Sequence, residues 1–109
     1  MNYVEEFTIP AKQPEYNPSI LVITPIVGFF VGGQVTFAAG ALNVVRFRIM
    51  DENRQLYPYP HGWKAGNNAT IAFEIKKRLQ GPPYRIVIQG YSDAIDWPHK
   101  LIIDLEVIR

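Results

Sequence analysis

Apolar and polar residues alternate in short runs along most of the chain, and Gly, Pro, Asn and Asp punctuate the runs. No window sustains the three-to-four-residue apolar spacing of an amphipathic helix, so the pattern predicts strands. Tyr3 to Ile9 is the first, with Val4, Glu6 and Thr8 on one face and Tyr3, Phe7 and Ile9 on the other; Pro10 ends it. Pro14 to Pro18 is a turn, because its two prolines remove backbone donors and restrict the residues before them. Ile20 to Ile23 follows as a short buried strand.

Gly28 to Ala38 is the most hydrophobic region, and Gly32 and Gly33 mark a bulge or a close approach of another backbone. Gly40 closes that strand. Leu42 to Met50 is the next, a half-exposed strand in which Arg46 and Arg48 alternate with Val45, Phe47 and Ile49. Asp51 to Arg54 makes a polar turn into Gln55 to Tyr57, a hairpin, and Tyr57 to Asn68 is a long aromatic loop. Thr70 to Ile75 turns Ile71, Phe73 and Ile75 inward. Lys76, Lys77 and Arg78 form a solvated edge, and Gly81, Pro82 and Pro83 a rigid turn. Tyr84 to Tyr91 carries Ile86 and Ile88 on one face and Arg85, Val87 and Gln89 on the other; Lys100 to Ile108 is the last strand. About seven or eight strands at this spacing predict an all-β chain, a single antiparallel β-sandwich or jelly-roll-like barrel spanning residues 1–109.

Composition narrows the function. A length of 109 residues suits one domain with one core. A hydrophobic fraction of 48% with 19% charged residues excludes a disordered chain. The formal net charge of +1, from 11 basic and 10 acidic residues, supplies no field to steer the domain onto nucleic acid. Without cysteine there is no disulfide, thiolate zinc site or cysteine nucleophile. Met1 to Glu6 does not read as a secretory signal. Ile20 to Val31, broken by Thr24, Pro25 and Gly28, falls short of the ~20 residues that span a bilayer. The expectation is a soluble protein with neither nucleic acid nor membrane as partner.

The best candidate site lies in two loops that each join a histidine to a proline and a tryptophan: Pro60, His61, Gly62, Trp63, and Trp97, Pro98, His99. With Tyr57 and Tyr59 they would form an aromatic interaction surface if the loops meet, suited to stacking on a sugar or to a protein hot spot. The structural alternative is that Trp63 and Trp97 plug the ends of the sandwich. A metal set from His61, His99, Asp93 and Asp96 has no short ligand spacing behind it, and Asp93 to Asp96 reads better as an Asx-type turn. Asp51 and Asn53 lack the oxygen ligands of a calcium loop. Asp104 and Glu106 share a strand face, where a solvated face or cross-strand pairs with Arg46 and Arg48 explain them better than acid–base catalysis. Ser19 and Ser92 lack a nucleophile elbow, and Gly32 and Gly33 lack phosphate-loop spacing. Asn68, Ala69, Thr70 matches the glycosylation pattern, which matters only in a eukaryotic secretory pathway. The reading is a non-enzyme with no cofactor and no metal.

One spread of residues extends this reading: Phe7, Thr8, Ile9, Pro10; then Gln55, Leu56, Tyr57, Pro58 leading to Gly62 and Trp63; then Pro82, Pro83, Tyr84; then Pro98 and His99 before the last strand. It resembles small β-sandwich proteins encoded among the virion structural genes of tailed phages and related prophages, which decorate or connect parts of the particle. The resemblance spans nearly the whole chain and rests on turn and aromatic residues. It implies a subunit that clamps neighbouring capsid or tail subunits, located in the virion after assembly in the host cytoplasm. It also implies a homo-oligomer, commonly a trimer in such proteins, and it carries no catalytic motif. On this reading Phe29, Phe30, Val31, Val35 and Phe37, in a segment more apolar than one small core needs, are the candidate subunit interface. A glycan is the alternative partner, with the chain then a carbohydrate-binding or adhesion module.

Overall fold

In the computed structural model, which describes residues 1–38 and 43–109, the alternation becomes nine strands. They are β1 (Asn2–Ile9), β2 (Ser19–Ile23), β3 (Phe29–Phe37), β4 (Val45–Asp51), β5 (Arg54–Tyr57), β6 (Lys64–Ala65), β7 (Thr70–Arg78), β8 (Ile86–Ser92) and β9 (His99–Ile108). One sheet has the order β1-β9-β3-β7; the other has β2-β8-β4-β5, with β6 also pairing with β4. Every pairing is antiparallel, and the two sheets pack into a β-sandwich. Gly40 and Leu42, expected at a strand end and a strand start, lie outside the described residues.

Period-two patterning builds the core. Phe7 and Ile9 from β1, Phe30, Val35 and Phe37 from β3, and Leu101, Ile103, Leu105 and Val107 from β9 face Val45, Phe47, Ile49, Ile86 and Ile88 of the other sheet in one buried cluster. A chain of rings crosses between the sheets: Phe37 to Phe47 at 5.8 Å, Phe47 to Tyr57 at 5.9 Å, and Tyr57 to Phe73 at 4.6 Å between centroids. Burial of this apolar area, at roughly 25 cal/mol per Å², is the main stabilising term.

Gly32 and Gly33 are where another backbone comes close. The β3 register shifts between Phe30 and Gly32 against both neighbours, and a Cβ on Gly33 would lie 2.9 Å from Leu105 Cα of β9. The shift lets β3 keep Phe30 inward on one side of the irregularity and Val35 and Phe37 inward on the other.

Four expectations change. Ile20 to Ile23 is an edge strand in which only Ile23 is fully buried, because β2 has a single neighbour, β8. Asp51 is not a turn residue in solvent: it ends β4 fully buried, with Oδ2 accepting from Arg54 Nη2 at 2.6 Å and Gln80 N at 3.0 Å. Asp104 and Glu106 cannot pair with Arg46 and Arg48, since β9 and β4 belong to different sheets and these side chains occupy opposite outer faces. Phe30, Val35 and Phe37 are buried in the chain's own core and offer no surface to a neighbouring subunit; Phe29 and Val31 alone of that set are partly exposed.

Candidate functional site

β4 turns Val45, Phe47 and Ile49 inward, so Arg46 and Arg48 must project from the outer face of the second sheet. The loop from Tyr57 returns across that face. Gln55 Nε2 pins it by donating to Pro58 O at 2.6 Å and Gly62 O at 2.9 Å, and Gly62 takes a φ of +102° that a side chain would disfavour. β6 then pairs Lys64 with Phe47 and Ala65 with Arg46, which sets Trp63 down beside the arginines.

The result is a linked array. Arg48 lies 4.3 Å from the Trp63 ring centroid and donates from Nε to Gln89 Oε1 at 2.6 Å. Trp63 meets Tyr91 edge-on at 4.7 Å and donates from Nε1 to Glu15 Oε2 at 3.1 Å. Arg46 donates from Nη1 to Tyr91 OH at 3.0 Å and to Asp93 Oδ2 at 2.7 Å. The hydrogen bond it donates to Asp93 is the main reason the Arg46 guanidinium holds its proton more tightly than a free arginine; partial burial opposes it and Tyr91 adds to it. Glu15, Tyr16, Arg48 and Trp63 border a shallow hollow of about 330 Å³.

A second hollow, of about 520 Å³, opens beside the loop after β8 and is lined by Val44, Ile95, Trp97 and His99 together with Asp93 and Asp96. Ser92 Oγ accepts from Ala94 N at 3.1 Å, Asp93 N donates to Val44 O at 3.0 Å, and Lys12 N donates to Ala94 O at 2.8 Å, so the base of this loop is fixed. The turn is thus made by the Ser92 hydroxyl and not by an aspartate. Beyond it, Ile95 is 71% and Trp97 68% exposed.

The expected aromatic surface is therefore divided. Trp63 and Trp97 border separate hollows, linked through Tyr91, Arg46 and Asp93. Neither tryptophan plugs an end: Trp63 lies on the outer face of a sheet, and Trp97 stands in solvent. His99 borders the Trp97 hollow, whereas His61 is exposed in the other loop. Tyr57 belongs to the core ring chain, which pushes its phenol pKa up by desolvation. Tyr59 is exposed, with Lys77 Nζ 5.1 Å from its ring. Among the described residues no group of three or more His, Asp or Glu side chains is placed to hold a metal ion. No helix of the described residues is long and apolar enough to cross a membrane.

Sequence reasoning passed over Glu15, Tyr16, Arg48 and Tyr91 as site residues. The alternation of Arg46 and Arg48 with core residues was the available signal, because it requires two cations on one exposed face. Compared with protein families, curated proteins and solved structures, the chain matches none of them.

Proposed function

We propose that this chain is a non-catalytic structural and interaction protein, a virion decoration or capsid- or tail-stabilising subunit that acts through protein–protein interfaces. The observation that carries the reading is the exposed pair Ile95 and Trp97 on a fixed loop base beside an apolar hollow. Leaving an indole and a branched aliphatic side chain in water forgoes their burial energy, and such groups are the anchors that interfaces use. The resemblance to phage virion proteins supplies the assembly class.

The test is mass spectrometry of particles induced from the strain carrying the gene, alongside light scattering of the purified protein over a concentration series. The protein in particles, or a homo-oligomer in solution, supports the reading. A strict monomer that is absent from particles ends it.

A glycan is the second reading, and one observation favours it: Trp97 shares its hollow with Asp96 and His99, so an apolar stacking plane adjoins hydrogen-bonding groups. Saccharide-dependent quenching of tryptophan fluorescence that disappears in Trp97→Ala supports it. A broad glycan array without hits counts against it.

A further inference from the structure

The sandwich has four edges, and three are defended against pairing. β1 carries Glu5 and Glu6, β7 carries Lys76, Lys77 and Arg78 with Lys76 at a φ of +52°, and the β5/β6 side is short and bears Arg54 and Lys64. Charges, irregular backbone and short strands are the usual devices that stop a sheet edge from adding another strand. β2, though only five residues long, carries neither charge nor irregular backbone. Its sequence, Ser19, Ile20, Leu21, Val22, Ile23, is uncharged and regular, and no charged residue occurs anywhere between Glu15 and Arg46.

β2 pairs with β8 on one side, and among the described residues no strand pairs with its other side. The same short segment concentrates exposed apolar surface: Tyr16, Ile20, Val22 and Ile26 are 91%, 59%, 41% and 75% exposed. Val22 also continues an outward row, since it pairs with Val87, which pairs with Met50. Pro18 and Pro25 bracket the strand and limit any added pairing to a short, closed contact.

We infer that the free edge of β2 joins two copies of this chain, antiparallel, about a two-fold axis at Leu21. A second copy is the occupant because the strand is complementary to itself in this register. Ile20 faces Val22 of the other copy on the outer face, twice over, and no like charges meet. The inference deepens the proposed assembly role and rests on it. Five-residue strands form a contact smaller than the ~1,200 Å² of a standard stable interface, so the pair is weak in solution and gains from the high local concentration on a particle.

The cysteine-free chain permits a direct test. Residues facing each other across an antiparallel pair have Cα atoms about 4.5–5.5 Å apart, within the ~4.4–6.8 Å a disulfide spans. Leu21→Cys should therefore oxidise to a covalent pair that reductant reverses. Ser19→Cys should not, because the two Ser19 positions lie roughly 14 Å apart in this register. In parallel, sedimentation of the native protein up to about 1 mM should show association that Ile20→Lys with Val22→Lys weakens at least tenfold, with circular dichroism unchanged and with Val4→Lys, at an exposed position of the other sheet, as an unaffected control. A native monomer at that concentration, or a Leu21→Cys that does not cross-link, overturns the edge contact. If the native protein is oligomeric and the lysine variant equally so, the edge contact fails while the assembly reading stands; a monomer absent from particles ends both.

Discussion

Arg48 and Trp63 lie with the guanidinium 4.3 Å from the indole centroid, a contact between a strand and a loop that are separated in sequence by the β5 hairpin. It holds the long aromatic loop against the outer face of the second sheet. Because Arg48 also hydrogen-bonds Gln89 of β8, three segments meet at one cation. Cation–π contacts at exposed sites contribute about 0.5–1 kcal/mol. A double-mutant cycle of Arg48→Ala with Trp63→Ala, followed by urea unfolding, should return a coupling in that range. Trp63→Ala alone should cost about 1–2 kcal/mol, since it also loses the edge-on contact with Tyr91.

Two ion pairs of similar length should behave differently. Arg46–Asp93 at 2.7 Å lies between side chains 32% and 61% exposed, and solvent screening keeps such a pair below about 1 kcal/mol. Asp51 is fully buried, and Asp51→Ala would strand the Gln80 N–H together with the Arg54 guanidinium. Arg54 is 39% exposed and can turn partly to water, which moderates the loss. Asp51→Ala should cost about 2–3 kcal/mol and Asp93→Ala under about 1 kcal/mol, by chemical denaturation.

Gly33 and Gly62 should respond unequally to alanine. A Cβ on Gly33 meets the main chain of β9, 2.9 Å from Leu105 Cα, and neither central strand can yield. Gly33→Ala should cost about 3 kcal/mol or abolish folding. At Gly62 nothing lies within 4 Å, so only the φ of +102° opposes the change, at about 1–2 kcal/mol. Thermal unfolding of the two variants gives the order.

Burial raises the Tyr57 pKa above the ordinary 10.0, so its phenol is favoured neutral in the folded state. A group whose folded pKa exceeds its unfolded one contributes stability that is fully present below the unfolded value and is lost as pH rises through the folded value. An ultraviolet phenolate titration should show one tyrosine ionising later than the rest, and Tyr57→Phe should remove that late step. Stability should fall less steeply above pH 10 in Tyr57→Phe than in the native chain.

Much of the fold was legible because alternation is a local signal. Tyr3, Phe7 and Ile9 against Val4, Glu6 and Thr8 have one strand solution, and β1 adopts it. Gly32 and Gly33 signalled a close backbone approach without naming β9 as the strand that approaches. The site was legible only as a set of residue types. His61 and Trp63 look in sequence like the mirror of Trp97 and His99, yet one tryptophan lies on Arg48 and the other stands over its own hollow.

The sequence by itself determined the all-β class, the inward faces of β1, β4 and β7, and the lack of cysteine chemistry, because each follows from residue type and a period of two. Tertiary structure decided that Phe30, Val35 and Phe37 belong to the core, that Asp51 is buried, and that Arg46 and Arg48 lie on the opposite face from Asp104 and Glu106. Strand order is a non-local property: alternation tells a strand which of its faces is apolar but not which strand becomes its neighbour. The same limit explains β2, whose apolar residues read as core until the topology left it at an edge with one neighbour.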